Sequence, residues 1–347
     1  MKATGASGVS GGKTLRVAIV GAGGISGAHS GAISASGGRL ALTAVVDPHA
    51  ENRGKLADKH SARGYESVEK MLAAMAAGEV AIDAAVVCTP PSARVDIVSA
   101  CLKSGVHVLS EKPLAHTLAD ARRLSAIAAR SSRTVARVAF CHRFTPAVLK
   151  MRELAAAGRI GRVVRFENAF ACDLPGHKDK WFSDPKKAGG GAYLDMGSHS
   201  IDLFHFMIGP SRTLGASFVH KWPRRTETAA TVLVESVSAS RGAGKHVKAG
   251  VAGSIVSGWA ETCRFTLALI GDGGMLQYDY EKPTELVFKE LSGKAETIAV
   301  ETHEVRFARQ LVAFAEAVQS KRKTDLATFE DGVLAAVAYE GAAKQAG

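Results

Sequence analysis

The chain of 347 residues contains no run of eighteen or more apolar residues, so nothing in it reads as a membrane span. Its first thirteen residues have no apolar stretch. They are expected to form a disordered tail rather than a signal peptide, which places the protein in the cytoplasm. Cysteine is scarce: Cys88, Cys101, Cys141, Cys172 and Cys263 are an odd, widely spaced set with no CxxC pair. That excludes a disulfide frame and a zinc site, and it predicts reduced thiols and no metal. Cys88 and Cys101 lie in apolar surroundings and are expected in the core. There is no internal repeat and no low-complexity block beyond the tail. The formal net charge is +11, but Lys and Arg are scattered. The densest basic run, Lys321-Arg322-Lys323, falls at an expected helix end, where cations complement the helix dipole. A nucleic-acid partner is therefore not expected, and the charge reads as solvated surface with a weak pull on anionic ligands.

What is present is enough apolar material, 46% of the residues, for the cores of two domains. From Leu15 to about Phe140, buried runs alternate with helical patterns. Strands are predicted at Leu15–Val20, Leu42–Val46, Ile82–Cys88, Val106–Leu109 and Thr134–Phe140. Helices are predicted at Ile25–Ser36, Ala50–His60, Val68–Ala77, Ala93–Ser104 and Leu118–Ala129. Continuous apolar strands separated by helices imply an α/β fold, a doubly wound parallel sheet covered on both faces. This sets the first domain at 14–141, a doubly wound unit of the kind that can hold a dinucleotide. The pattern then changes. A strand at Val163–Ala171 and a helix at Ala192–Ile208 precede successive strands at Thr228–Ser236, Val251–Trp259, Arg264–Ile270, Met275–Tyr280 and Glu285–Phe288. Helices at Val305–Gln319 and Phe329–Ala346 close the chain. Strands without intervening helices suggest an open, mostly antiparallel sheet in a substrate-binding and oligomerisation domain at 142–347. Ser238–Lys248 is expected to be a mobile loop.

Gly21-Ala22-Gly23-Gly24-Ile25-Ser26 follows the first strand and opens the first helix. In that context the glycines allow a tight turn and close approach of backbone to a pyrophosphate. The helix N-terminus then faces the phosphates. Ser26 is small enough for the third position, where Gly or Ala is usual. Asp47, at the end of the second strand, is placed to bind ribose hydroxyls and to repel a 2′-phosphate, favouring NAD over NADP; it is equally placed to cap the helix after Pro48. Arg53 is near enough to reach a phosphate.

Three further segments carry chemistry. Thr89-Pro90-Pro91 and Glu111-Lys112-Pro113 follow two parallel strands, so Thr89, Pro90, Glu111 and Lys112 are placed at the cofactor crevice by topology. Gly189-Gly190-Gly191 precedes Asp195 and His199, which at a spacing of four share one face of a helix. Histidine suits the base that accepts a hydroxyl proton. A neighbouring carboxylate can fix its tautomer, and a lysine ammonium can stabilise a developing alkoxide. Lys112, Asp195 and His199 supply these parts. His29 reads as a packing group. His142, Lys180 and Trp181, together with Asp195 and His199, are candidates to line a substrate pocket, with His177 nearby.

These motifs resemble the glucose–fructose oxidoreductase / inositol dehydrogenase / MocA family: the glycine loop, the TPP at Thr89, the EKP at Glu111 and the GGGAYLDMGSHSID run from Gly189 to Asp202. The resemblance extends to Phe314–Ala343. It implies a Rossmann domain, a second domain with an open sheet that forms a subunit interface, and oxidation or reduction of sugars, polyols or related carbonyls. It implies that Lys112 is the EKP lysine, that Asp195 and His199 are the acid and the catalytic histidine, and that His142 touches substrate. Phe182 stands where many relatives carry Arg. The expected function is an NAD-dependent oxidoreductase acting on a secondary hydroxyl or ketone of a sugar, inositol or derivative, in a homodimer or homotetramer. An NAD-using glycosidase and a non-catalytic NAD-binding sensor are the alternative classes.

Overall fold

A computed structural model describes residues 13–347 apart from 241, 321, 323 and 347. The expected N-terminal tail before Lys13, and Lys321 and Lys323 of the basic run, lie outside the described residues. The first half alternates as its apolar pattern requires: β1 (Leu15–Val20), α1 (Gly24–Ser34), β2 (Leu40–Val46), α2 (Ala50–His60), β3 (Arg63–Tyr65), α3 (Val68–Ala76), β4 (Ala84–Val87), α4 (Arg94–Lys103), β5 (His107–Ser110), α5 (Leu118–Arg130) and β6 (Ala136–Val138). The six strands form one sheet in the order β3-β2-β1-β4-β5-β6, all pairs parallel. Along β1, Ala18 and Val20 join one apolar cluster while Val17 and Ile19 join another. Both faces of the sheet are therefore covered, which is why its strands read as unbroken apolar runs. Side-chain caps start two of the helices: Ser67 accepts from the Lys70 amide and Thr117 from the Asp120 amide. The edge strand β3 is absent from the sequence reading, because Arg-Gly-Tyr is too short and too polar to signal a strand.

The second half contains α6 (Pro146–Ala156), β7 (Val163–Asp173), α7 (Pro185–Ala188), α8 (Ser198–Met207), β8 (Ser211–Val219), β9 (Ala229–Ser236), β10 (Ala252–Gly258), β11 (Ala260–Gly271), β12 (Gly274–Asp279), β13 (Glu285–Glu290), β14 (Ala295–Ala299), α9 (Arg306–Ser320) and α10 (Phe329–Ala346). Eight strands form a sheet in the order β14-β13-β12-β11-β7-β10-β9-β8. Only β7 and β10 pair in parallel. The expected mostly antiparallel sheet is what forms, with β8, β14 and the helix α6 added. The last two helices reach back across the molecule. Leu311 and Phe314 of α9 complete the apolar cluster under one face of the first sheet, against α1. α10 packs on α5 and β8. None of the described helices is long and apolar enough to cross a membrane.

Two expectations change. The stretch Ser238–Lys248 is not a free loop in its described residues. Ala243 and Val247 are buried in the main core, Ser240 donates its amide to the Ile208 carbonyl, and the His246 carbonyl accepts from Val163. Two apolar side chains were enough to anchor a segment whose Gly and Lys content suggested mobility. Cys101 is in the core as expected, but Cys88 is only half-buried and borders a cavity.

Candidate functional site

The order of the first sheet reverses between β1 and β4, and the two strand ends meet there. Gly21 has φ +96°, and a Cβ on it would lie 2.9 Å from the Cys88 carbonyl carbon. Only glycine fits this approach. Gly23 and Gly24 differ: a Cβ on either would meet nothing within 4 Å. The space above them is open, at the N-terminus of α1, where the cap residue Gly23 leaves the first amides without a side-chain acceptor. Backbone amides facing open space at a helix start are what a pyrophosphate requires. Ser26 is buried and donates its hydroxyl to the Gly23 carbonyl at 2.6 Å, so the departure from Gly or Ala is absorbed inside the turn.

Asp47 braces this loop. Its Oδ2 accepts from the Ala22 amide and its Oδ1 from the His49 amide, each at 2.8 Å. Asp47 thus accepts hydrogen bonds both from the loop and from the approach to α2. Arg53 donates to the Asp47 carbonyl at 2.6 Å.

The turns after β4 and β5 are tied together by a residue the sequence reading passed over. Arg94 is buried and donates from Nε and Nη2 to the Thr89 carbonyl at 2.9 and 2.7 Å, and from Nη1 to the carbonyls of Glu111 and Pro113. Glu111, also buried, accepts from the Lys112 amide at 3.0 Å and meets His29 Nε2 at 2.7 Å. Burial alone would raise the Glu111 carboxyl, but the His29 contact and nearby cations outweigh it and hold it below its ordinary value. His29 is thus a packing group, as expected, with Glu111 and Phe307 as its partners. Thr89 Oγ1 is sealed without a hydrogen-bond partner, an orphaned hydroxyl at the edge of the cavity.

Across the cavity, the run 189–202 takes an unexpected course. Tyr193–Gly197 is a π-helical turn, and α8 begins only at Ser198. Glu227, buried and also missed, holds its start by accepting from the amides of Gly191 and Tyr193 at 2.8 and 3.2 Å. A π turn breaks the four-residue rule for neighbours. Asp195 therefore does not pair with His199. Instead Asp195 Oδ1 takes Lys112 Nζ at 2.6 Å, the Asp195 carbonyl takes it at 3.0 Å, and Oδ2 takes the Trp259 indole N–H at 3.0 Å. Burial would raise this carboxyl, but the Lys112 ammonium and the indole hold it below the usual range.

His199 is buried with Nδ1 sealed and unpartnered. Its ring stands edge-on to His142 at 4.6 Å between centroids, and His142 Nδ1 meets the Tyr280 hydroxyl at 2.8 Å. Burial first, then Lys112, His142 and Arg306, pushes the His199 imidazole well below its ordinary value. Cys141, His142 and His199 bring ligand atoms within 4.8 Å of one another. Burial raises the Cys141 thiol to about 11 against the opposing pull of Arg306 and Lys112, and those same cations make the surroundings unfavourable for a metal ion.

The cavity between these halves has a volume of about 240 Å³. Ile25, Thr89, Glu111 and Lys112 line it from the first domain, and Asp195, His177, Trp181 and Trp259 from the second. Lys112, Asp195 and Trp181 thus come together as expected. Lys180 does not: it is exposed and outside the lining. His142 and His199 are outside the lining, and Pro90 yields its place there to Pro91.

Comparisons with known proteins bear on the family and the fold. Residues 15–140 match a family described as an oxidoreductase family with an NAD-binding Rossmann fold, and residues 148–277 match the GFO/IDH/MocA C-terminal domain. A 1,5-anhydro-D-fructose reductase from Ensifer adhaerens is 34% identical over 51% of this chain and 51% of its own length. A D-glucoside 3-dehydrogenase from Escherichia coli is 30% identical over 56% of this chain and 54% of its own. The chain thus spans little more than half the length of these curated relatives. Among solved structures, levoglucosan dehydrogenase with NADH and levoglucosan superposes with a TM-score of 0.83 at 18% identity, covering 96% of this chain and 97% of that one. The 3-ketoreductase KijD10 from Actinomadura kijaniata, with NADP and TDP-benzene, gives 0.81 at 20%, covering 96% and 98%. At such identities these structures speak for the fold.

Proposed function

Since the chain belongs to the GFO/IDH/MocA oxidoreductase family and carries its NAD-binding Rossmann fold, we propose that it is an NAD-dependent oxidoreductase acting on a secondary hydroxyl or ketone of a sugar, polyol or sugar derivative. The observation that carries this reading is the Lys112–Asp195 pair, set in one cavity with the ends of β1, β4 and β5. The relatives named for anhydrofructose reduction and glucoside dehydrogenation support a sugar as the substrate class. The glycine-loop residues Gly21, Gly23, Gly24, Ile25 and Ser26 would hold the pyrophosphate side of the dinucleotide. Asp47 would meet its ribose and Thr89 with Glu111 would border the nicotinamide. A carboxylate at Asp47 favours the unphosphorylated ribose of NAD.

The bound nicotinamide supplies the hydride acceptor or donor. The residues of the chain handle the proton and the charge. Lys112 is aimed by two oxygens of Asp195 and offers its ammonium to the reacting oxygen, lowering the energy of the alkoxide as the hydroxyl proton departs. Trp259 keeps the second carboxylate oxygen satisfied, so Asp195 holds the lysine rather than competing for the proton. His199 is neutral at neutral pH and, with Nδ1 sealed, would take the proton on Nε2. His199→Ala and Lys112→Met are expected to lower kcat by about 10²–10⁴ with NAD affinity nearly unchanged. Absorbance at the NADH band with a panel of sugars and polyols measures this, and net NADH formation separates the reading from redox-neutral glycoside cleavage. A fully active His199→Ala enzyme would remove His199 from the mechanism.

The chain is further proposed to form a homodimer or homotetramer. Leu214, Val219 and Leu233 stand exposed on β8 and β9, and such apolar strand faces favour burial against a partner. Light scattering should give a mass of at least twice the protomer; a monomer at micromolar concentration would count against it.

A further inference from the structure

The chain has only three tryptophans, and all three gather in one aromatic array beside the Lys112–Asp195 pair. Trp222 and Trp259 stack at 6.3 Å between ring centroids with an interplanar angle of 20°. His177 lies 5.1 Å from Trp259, Phe182 stacks on His177 at 4.4 Å, and Trp181 stacks on Phe182 at 3.9 Å. Trp222, Trp259 and Phe182 of the array form a small apolar cluster with Ala192, Leu174 and Met196, and Met196 links it to the main core. Its inner rings, Trp222 and Trp259, are buried. Its outer rings, Trp181, Phe182 and His177, are half-exposed and line the cavity. Apolar surface left facing water in this way is stabilised when a ligand covers it, and flat rings favour C–H and aromatic groups.

The charges in the same lining point the same way. Its two cations are already committed: Arg94 to the carbonyls of Thr89, Glu111 and Pro113, and Lys112 to Asp195 and, in the reading above, to the reacting oxygen. Burial pushes the His177 imidazole below its ordinary value, so this ring is neutral at neutral pH. The remaining charged groups of the lining are the carboxylates Glu111 and Asp195. The lysines of the neighbouring segment, Lys178, Lys180, Lys186 and Lys187, are exposed and outside the lining. An anionic substituent entering the cavity would lose water against rings and find no unoccupied cation, which is costly.

We propose that the substrate is a neutral glycoside whose aryl or alkyl group lies against Trp181, Phe182 and His177. This rests on the sugar oxidoreductase reading above and names which sugars it admits. The test uses the full protein with NAD and a matched set: methyl, cyclohexyl and phenyl glucosides against glucuronate and glucose 1-phosphate. The phenyl and cyclohexyl glucosides are expected to show a kcat/KM at least tenfold above either acid. Trp181→Ala should lower it about tenfold for those two, mainly through KM, and change the methyl glucoside about twofold or less. Because every tryptophan sits in the array, cyclohexyl glucoside should also shift the intrinsic fluorescence of the wild type saturably, a readout that needs neither turnover nor a folded variant. Acids that turn over as well as the aryl glucoside, or a fluorescence that never responds, overturn the proposal. A saturable fluorescence response with no NADH from any sugar would instead overturn the oxidoreductase reading and leave the binding wall standing.

Discussion

Two glycine-rich turns border the same cavity and use glycine for opposite ends. At Gly23 and Gly24 the missing side chains leave open space at a helix start, which a ligand can enter. At Gly189, Gly190 and Gly191 the space is already filled by protein. A Cβ there would overlap, in turn, the His116 carbonyl oxygen, the Tyr339 hydroxyl and the Glu227 carbonyl oxygen. The first turn is built for approach by something outside the fold. The second is built so that a π-helical turn can sit hard against Glu227, just ahead of β9, and against Tyr339 of α10, and carry Asp195 to Lys112. The same residue type, in the same position before a helix, thus serves binding in one half and packing in the other. What distinguishes the two is which neighbours the tertiary fold delivers.

The largest expected effect tests that contrast directly. Gly191→Ala drives a methyl into backbone, which cannot swing aside, and is expected to destabilise the protein by about 3 kcal/mol or more. Thermal unfolding followed by circular dichroism should show a midpoint lower by several degrees. Gly23 has φ −82° and ψ −168°, extended backbone that alanine adopts freely. Gly23→Ala should leave the unfolding midpoint of the unliganded protein within about a degree while weakening NAD about tenfold by calorimetric titration. If both substitutions acted on stability alike, the distinction between the turns would fall.

Asp47→Ser sharpens the picture at the cofactor end. It removes the acceptor for the Ala22 and His49 amides and the charge that opposes a 2′-phosphate, so the NAD-to-NADP ratio of kcat/KM should drop several-fold. An unchanged ratio would leave Asp47 as a brace for the loop and nothing more. The smallest effect is expected at the substrate end, in the pH profile. A base whose imidazole is depressed stays unprotonated as pH falls, down to its own low midpoint. Activity limited by His199 should therefore hold nearly level from pH 8 through about 6.5, the ordinary imidazole midpoint, and decline only well below it. A midpoint near 6.5 in kcat/KM would mean that the proton goes to a less buried group.

The legibility of the two halves differs for the same reason. The first sheet could be read because its strands are buried on both faces and announce themselves as apolar runs, and because its ligand-binding turns follow those runs directly in sequence. Lys112 and Thr89 could be placed by topology alone. The substrate side offered less. Asp195 and His199 were singled out together, but their expected pairing assumed an α-helix, and the π turn at Tyr193–Gly197 sends Asp195 to Lys112 and Trp259 instead. Lys180, adjacent in sequence to the lining residue Trp181, points to solvent. Arg94, Glu227 and Tyr280 carry no local signal, since each matters through a contact made with a distant segment. The short strand β3 and the edge strand β14 were too polar or too brief to register.

The sequence by itself determined the doubly wound sheet, the glycine loop at its switch point and the placement of Lys112 after a parallel strand, because each depends on periodicity, local turn chemistry or strand order. Only the tertiary structure decided which glycines face a ligand, which partner Asp195 takes and that three tryptophans spread over residues 181 to 259 converge on one wall. Those outcomes depend on which segments meet across two sheets, and neither periodicity nor local turn chemistry specifies that encounter.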